Sequence, residues 1–143
     1  MGKIINNLAK FAGETVRIKK SSKTFDELDP QTKQKVDNLI KAAQGGNIDA
    51  ITKLAGFYYS GEYVGYDPQQ AIYWWTEAAK KGHVGSQYNL GLMYHGNLTS
   101  YSYDENLAGY WFNLASQNGD SESLEMLNEH YRFSKITKKW YKK

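Results

Sequence analysis

Blocks of this 143-residue chain fall into register at a step of 36 and then 37 residues. Ala42-Ala43-x-x-Gly46 returns as Ala78-Ala79-x-x-Gly82 and, in weaker form, as Ala115-Ser116-x-x-Gly119. Leu54, Leu90 and Leu127 follow these blocks, and then Tyr58, Tyr94 and Tyr131. Two units also share a second pattern, Asp67-x3-Ala71-x2-Trp74-Trp75 and Asp104-x3-Ala108-x2-Trp111-Phe112. A unit of this length accommodates two helices and a turn, and it cannot bury its apolar face alone, so copies must stack. The repeat therefore calls for an all-α array of about three helix pairs. It biases the function toward binding rather than catalysis.

Local signals divide each unit. Asp29-Pro30 and Asp67-Pro68 each read as a helix cap followed by proline at the first helical position, where the missing N–H costs nothing. Val36, Leu39, Ile40 and Ala43 make one apolar stripe up to the Gly45-Gly46 stop, and Ala71, Trp74, Trp75 and Ala78 make another up to Gly82. Asp104-Glu105 opens a third helix of this kind, with Leu107, Ala108, Trp111, Phe112 and Ala115 inward. These are the second members of each pair. The first members are expected at about residues 49–60, 85–95 and 121–132. Their inward trios, Ala50-Leu54-Tyr58, Ser86-Leu90-Tyr94 and Ser123-Leu127-Tyr131, have the spacing of four that keeps a helix face aligned.

The ends are expected to close the array. Residues 1–28 form an N-terminal capping segment, with Ile4, Ile5, Leu8, Phe11 and Ala12 on one face of a short helix. Residues 29–133 carry the repeats. Residues 134–143, with Ile136, Trp140 and Tyr141, are expected as a basic C-terminal capping helix.

Several chemistries are excluded or left without support. The chain has no cysteine, which rules out disulfides, thiolate metal sites and a cysteine nucleophile. His83, His95 and His130 have no partners at metal-ligand spacing, so neither a metal nor another cofactor is expected. Glu125 and Glu129 lie one turn apart, but on an open helix face with no pocket to shift a pKa. Phosphate-cradling loops and a nucleophile elbow are missing, and the chain is expected not to be an enzyme. No run of about 18 apolar residues spells a membrane span, and the first residues have no apolar signal core, so a cytoplasmic setting is expected.

A net charge of +3 conceals an asymmetry. Residues 1–23 hold six basic side chains against Glu14, and residues 132–143 hold six with no acid. Between them six lysines face 14 Asp and Glu. The repeats are acidic and the termini basic, so the overall basicity is not a nucleic-acid footprint spread over the whole chain.

Four motifs together resemble the Sel-one-like repeat, a relative of the tetratricopeptide repeat, over about residues 30–132. They are Leu90-Gly91-x-x-Tyr94; Tyr58-x-x-Gly61 with Val64 and Asp67; Ala71-x-x-Trp74-Trp75; and Ala78-Ala79-x-x-Gly82. The resemblance implies a right-handed α/α superhelical solenoid that serves as a scaffold for protein–protein contacts, often in bacterial signalling, secretion or host interaction. Tyr63 stands where the family has a second loop glycine, and Ala55 replaces a helix glycine. One extra residue between Tyr94 and Asp104 suggests that the Gly96–Tyr103 loop is reshaped. Members with paired cysteines are linked to β-lactam or peptidoglycan fragments, a feature this cysteine-free chain lacks.

In such arrays the outward face of the first helices lines the concave side. A helical wheel referenced to Leu54, Leu90 and Leu127 puts a defined set of residues there. Asp49, Thr52 and Tyr59 come from the first unit, Tyr88, Leu92 and His95 from the second, and Glu122, Glu125, Glu129 and Arg132 from the last helix. Rigid tyrosines beside glycine suit recognition, and the acidic end suits a basic partner. The expected function is a non-enzymatic scaffold that binds another protein, such as a small inhibitor or an immunity protein neutralising a cognate bacterial toxin. Two readings rank lower: nucleic-acid or membrane attachment through the basic ends, with Arg17, Lys19, Lys20 and Lys23 or the run from Lys135 to Lys143, and an enzyme acting on cell-wall sugars.

Overall fold

A computed structural model describes residues 25–96 and 103–143. The expected N-terminal helix with its basic residues, and most of the Gly96–Tyr103 loop, lie outside the described residues. After a 3-10 turn at Phe25–Glu27 come six helices: α1 (Pro30–Gln44), α2 (Ile48–Ser60), α3 (Pro68–Lys80), α4 (Val84–Tyr94), α5 (Glu105–Gln117) and α6 (Ser121–His130). Two short antiparallel strands follow, β1 (Tyr131–Ser134) and β2 (Lys139–Lys142). The chain divides into two compact units at Lys81/Gly82.

The first unit contains α1 to α3. Asp29 caps α1 by accepting hydrogen bonds from the Gln31 and Thr32 amides, and Asp67 caps α3 in the same way through Gln69 and Gln70. Both helices carry proline at the start, as the sequence requires. The Thr32 hydroxyl and amide also hold the Asp29 carboxyl below its usual pKa. Ala43, Ala50, Ile51, Leu54 and Ala78 form the core, with Leu39, Ile40, Ile48, Tyr58 and Trp74 packed against it. Gly61 ends α2 in the left-handed conformation (φ 74°) that a side chain would resist. The Asp67 amide then donates to the Tyr58 carbonyl at 2.8 Å, which turns the chain back as α3.

The second unit repeats this device. His83 caps α4 through its Nδ1, which accepts from the Ser86 amide, and Asp104 caps α5 through the Leu107 amide. The Asp104 amide donates to the Tyr94 carbonyl at 3.0 Å, one repeat after the Asp67–Tyr58 bond. Phe112 is the hub of this unit. It is fully buried, with the rings of Tyr88, His95 and Tyr131 at 6.0, 6.2 and 5.8 Å. Gly91 makes the approach possible, since a Cβ there would lie 2.5 Å from the Phe112 ring.

The expected C-terminal capping helix is corrected by the structure: those residues form a β-hairpin, and α6 stops at His130 rather than Arg132. A ten-residue helix has little stability of its own. The hairpin instead aligns Phe133 with Trp140, whose rings lie 5.1 Å apart, and seats Trp140 on Gly109 of α5. Its second edge does not face water. The Trp140 amide donates to Asn106 Oδ1 and the Lys142 amide to Glu105 Oε2, both on α5. The hairpin does the work of a cap by another route: it covers α5 and satisfies the edge of β2 with side chains.

Candidate partner-binding surface

The ten residues of the expected binding face separate by burial. Asp49, Glu125, Glu129 and Arg132 are exposed, and Tyr59 and Glu122 are half-buried. Thr52, Tyr88, Leu92 and His95 are buried at 9%, 3%, 1% and 7% exposure. The outward placement of these four is corrected: they pack inside. For Tyr88, Leu92 and, at its C-terminal cap, His95 the reason lies in α4, which carries no charged residue and is buried without a break from Gly85 to Met93; Thr52 sits on α2 beside the buried Ala50, Ile51 and Leu54. A wheel referenced to Leu90 assigns a solvent face to a helix that has none.

The buried members do structural work. Thr52 Oγ1 donates to the Asp49 carbonyl at 3.0 Å. Tyr59 packs on Trp75 at 5.7 Å, and burial, reinforced by Tyr66, pushes its hydroxyl up to about 12. His95 Nδ1 lies 2.5 Å from the Tyr131 hydroxyl. Burial, with the neighbouring charges of Lys142 and His130, pushes the His95 imidazole down to about 4, so it is neutral near pH 7. Burial also raises the Tyr131 hydroxyl above its ordinary value. This pair ties the end of α4 to the start of β1.

The exposed face of α6 is the part of the expected surface that faces solvent. Glu122, Glu125 and Glu129 recur at helical spacing, and the capping Asp120 adds a fourth carboxylate at the N-terminus. Leu124, 51% exposed, stands on another side of the same helix, a feature outside the expected set. Also missed was a set of exposed tyrosines at equivalent repeat positions: Tyr66 and Tyr73 in the first unit, Tyr103 and Tyr110 in the second. Each pair is 37 residues apart, so the repeat itself was the available signal. Tyr73 and Tyr110 each set an edge against the following tryptophan at 5.1 Å, which fixes the ring while its other side faces solvent.

Among the described residues, no three His, Asp or Glu side chains converge as a metal site, and no helix is long and apolar enough to cross a membrane. The grooves on the second unit are shallow. One of about 400 Å³ lies between α5 and the hairpin, lined by Leu107, Tyr110, Asn113, Phe133 and Trp140 among others.

Paired helices of this length, joined by the same Asp-capped return in both units, define an α/α repeat protein. The Sel1 repeat pattern matches residues 48–83 and 84–120, half of the chain, and the chain belongs to the Sel1 repeat family. Repeats of this family generally build surfaces for contact with other proteins. The chain is similar to a Sel1 repeat protein from Oxalobacter formigenes of known crystal structure, with 28% identity and a TM-score of 0.58. That match covers 66% of this chain and 70% of the other. It is also similar to the chitin synthase regulator SKT5 of Saccharomyces cerevisiae, 29% identical over 128 residues. The match takes in 83% of this chain but spans only 18% of that longer protein.

Proposed function

We propose that this chain is a non-enzymatic scaffold that binds a partner protein, with the exposed face of α6 as a principal contact. The carrying observation is that Glu122, Glu125 and Glu129 share one side of α6 while Leu124, 51% exposed, stands on another part of its surface. Carboxylates gathered on one helix face suit a basic partner, and an exposed leucine on the same helix offers it an apolar contact. Asp49, Tyr59 and Arg132 remain candidates for the same role. The name of the yeast relative, a regulator of an enzyme, agrees with action upon another protein.

The finer form of this reading is a small inhibitor, an immunity protein that covers the basic active site of a cognate toxin. The excess of acids over bases in residues 24–131 favours it, because a cationic cleft would be drawn to such a body. The test is affinity capture of a basic partner by the wild-type chain and by Leu124→Ala and Glu125→Lys/Glu129→Lys. Loss of at least about tenfold in each variant supports the proposal. Tight binding that ignores both variants removes α6 from the interface.

A further inference from the structure

The hairpin presents a second surface of opposite sign. Arg132, Lys135, Lys138, Lys139, Lys142 and Lys143 fall within residues 132–143, which hold no acid. At its turn, Ile136 is 93% exposed, the most exposed of the large apolar side chains described. Phe133, 45% exposed, stands behind it on β1. An aliphatic side chain held out to water at the tip of a lysine-rich turn has no folding role, since it contributes no burial.

Two kinds of polyanion fit the charge, and the rings discriminate between them. Single-stranded nucleic acid needs open aromatic faces for stacking. Here Trp140 is pressed onto Gly109 and tilted against Phe133, whose ring, 45% exposed, is far less open than Ile136. Five of the six cations are lysines, point charges suited to a diffuse anionic surface, and a single arginine offers the planar fork that phosphates favour. The most exposed apolar group is an isoleucine, which can insert among acyl chains but cannot stack on a base.

We propose that the hairpin tip docks on membrane surfaces rich in anionic lipid, with Ile136 inserted at the interface and Lys135, Lys138 and Lys139 at headgroup level. Binding of this kind is reversible and depends on salt. It would hold the scaffold at a membrane while leaving α6 free for a protein partner.

The experiment is co-sedimentation of the full chain with phosphatidylcholine vesicles, with and without phosphatidylserine, beside a single-stranded RNA oligonucleotide. The expected result is binding only to phosphatidylserine vesicles, weakened by added salt. Ile136→Ser should weaken it about tenfold and Lys135→Glu or Lys139→Glu at least about fivefold each. These side chains are exposed, so the variants keep the wild-type melting temperature, and lost binding reports the surface rather than the fold. Equal binding to neutral and anionic vesicles overturns the proposal. So does RNA binding that survives Ile136→Ser while the vesicles stay unbound, which would make the hairpin a nucleic-acid contact.

Discussion

Helices α3 and α5 hold the same place in successive repeats, 37 residues apart from first residue to last, yet only α5 carries a hairpin. The difference is concentrated in three substitutions along the repeat. Where α3 has Pro68, Gln69 and Ile72, α5 has Glu105, Asn106 and Gly109. Glu105 and Asn106 accept the two edge amides of β2, and Gly109 leaves the space that Trp140 fills. Tyr103 adds to the anchorage by donating its hydroxyl to Glu105. One repeat therefore codes for a helix pair alone, and the other for the same pair plus a docking platform. The positions that build each helix pair are shared; those that depart from the pattern say what each unit carries.

The largest effect should come from the hub. Phe112 and Trp75 are repeat equivalents, both buried, and truncation of either to alanine should cost about 3–5 kcal/mol in denaturant unfolding. Only Phe112→Ala should also loosen the hairpin, because Tyr131 packs on that ring. Hydrogen exchange at the Tyr141 and Lys143 amides reads this out. Unchanged protection in Phe112→Ala would mean that α5 alone holds the hairpin.

A smaller effect should follow pH. The folded-state pKa of His95 is about 4, below the ordinary value of 6.5, so the unfolded chain takes up the proton first. The neutral buried imidazole contributes its full stability above pH 6.5 and loses it as pH falls toward 4. The loss should reach about 2–3 kcal/mol. His95→Gln should flatten the dependence in that window at some cost in stability. His95 has Tyr59 as its counterpart in the first unit, which cannot titrate there, so the acid weakness belongs to the second unit.

Next comes the platform itself. Gly109→Ile copies the residue found at Ile72 and should expel Trp140, costing about 1–3 kcal/mol and exposing the β2 amides. The helices should keep their circular dichroism. A variant with a protected hairpin would show that Glu105 and Asn106 suffice.

The repeat made most of this architecture legible in advance. Asp-Pro caps, glycine stops and the Leu–Tyr spacing located every described helix to within about two residues. The hairpin was not legible by the same means. Ile136 and Trp140 are four apart, which suits a helix face, and lysines favour neither structure strongly. Its signal lay elsewhere, in the glycine at position 109 where the preceding repeat has isoleucine. The binding face was half legible, because helical geometry gives directions but not neighbours. Thr52, Tyr88, Leu92 and His95 point away from their reference leucines and still meet protein, whereas the charged helix α6 does face solvent.

The finest contrast concerns two residues forced into the left-handed region, Tyr63 in the first unit (φ 63°) and Lys138 in the hairpin turn (φ 56°). Each carries a backbone cost of about 1 kcal/mol that glycine would relieve. The Tyr63 ring repays its cost by packing edge-on against Phe57 at 4.9 Å, a contact worth about as much. The Lys138 side chain is exposed, and its contribution to the turn is the amide that donates to the Ser134 carbonyl at 2.9 Å, which glycine would keep. Lys138→Gly should therefore stabilise the chain by about 0.5 kcal/mol, and Tyr63→Gly should be neutral or destabilising, as read from paired thermal melts. A stabilising Tyr63→Gly would show that the first-unit loop bears its strain for something other than the Phe57 contact, and would make that ring a candidate for partner binding.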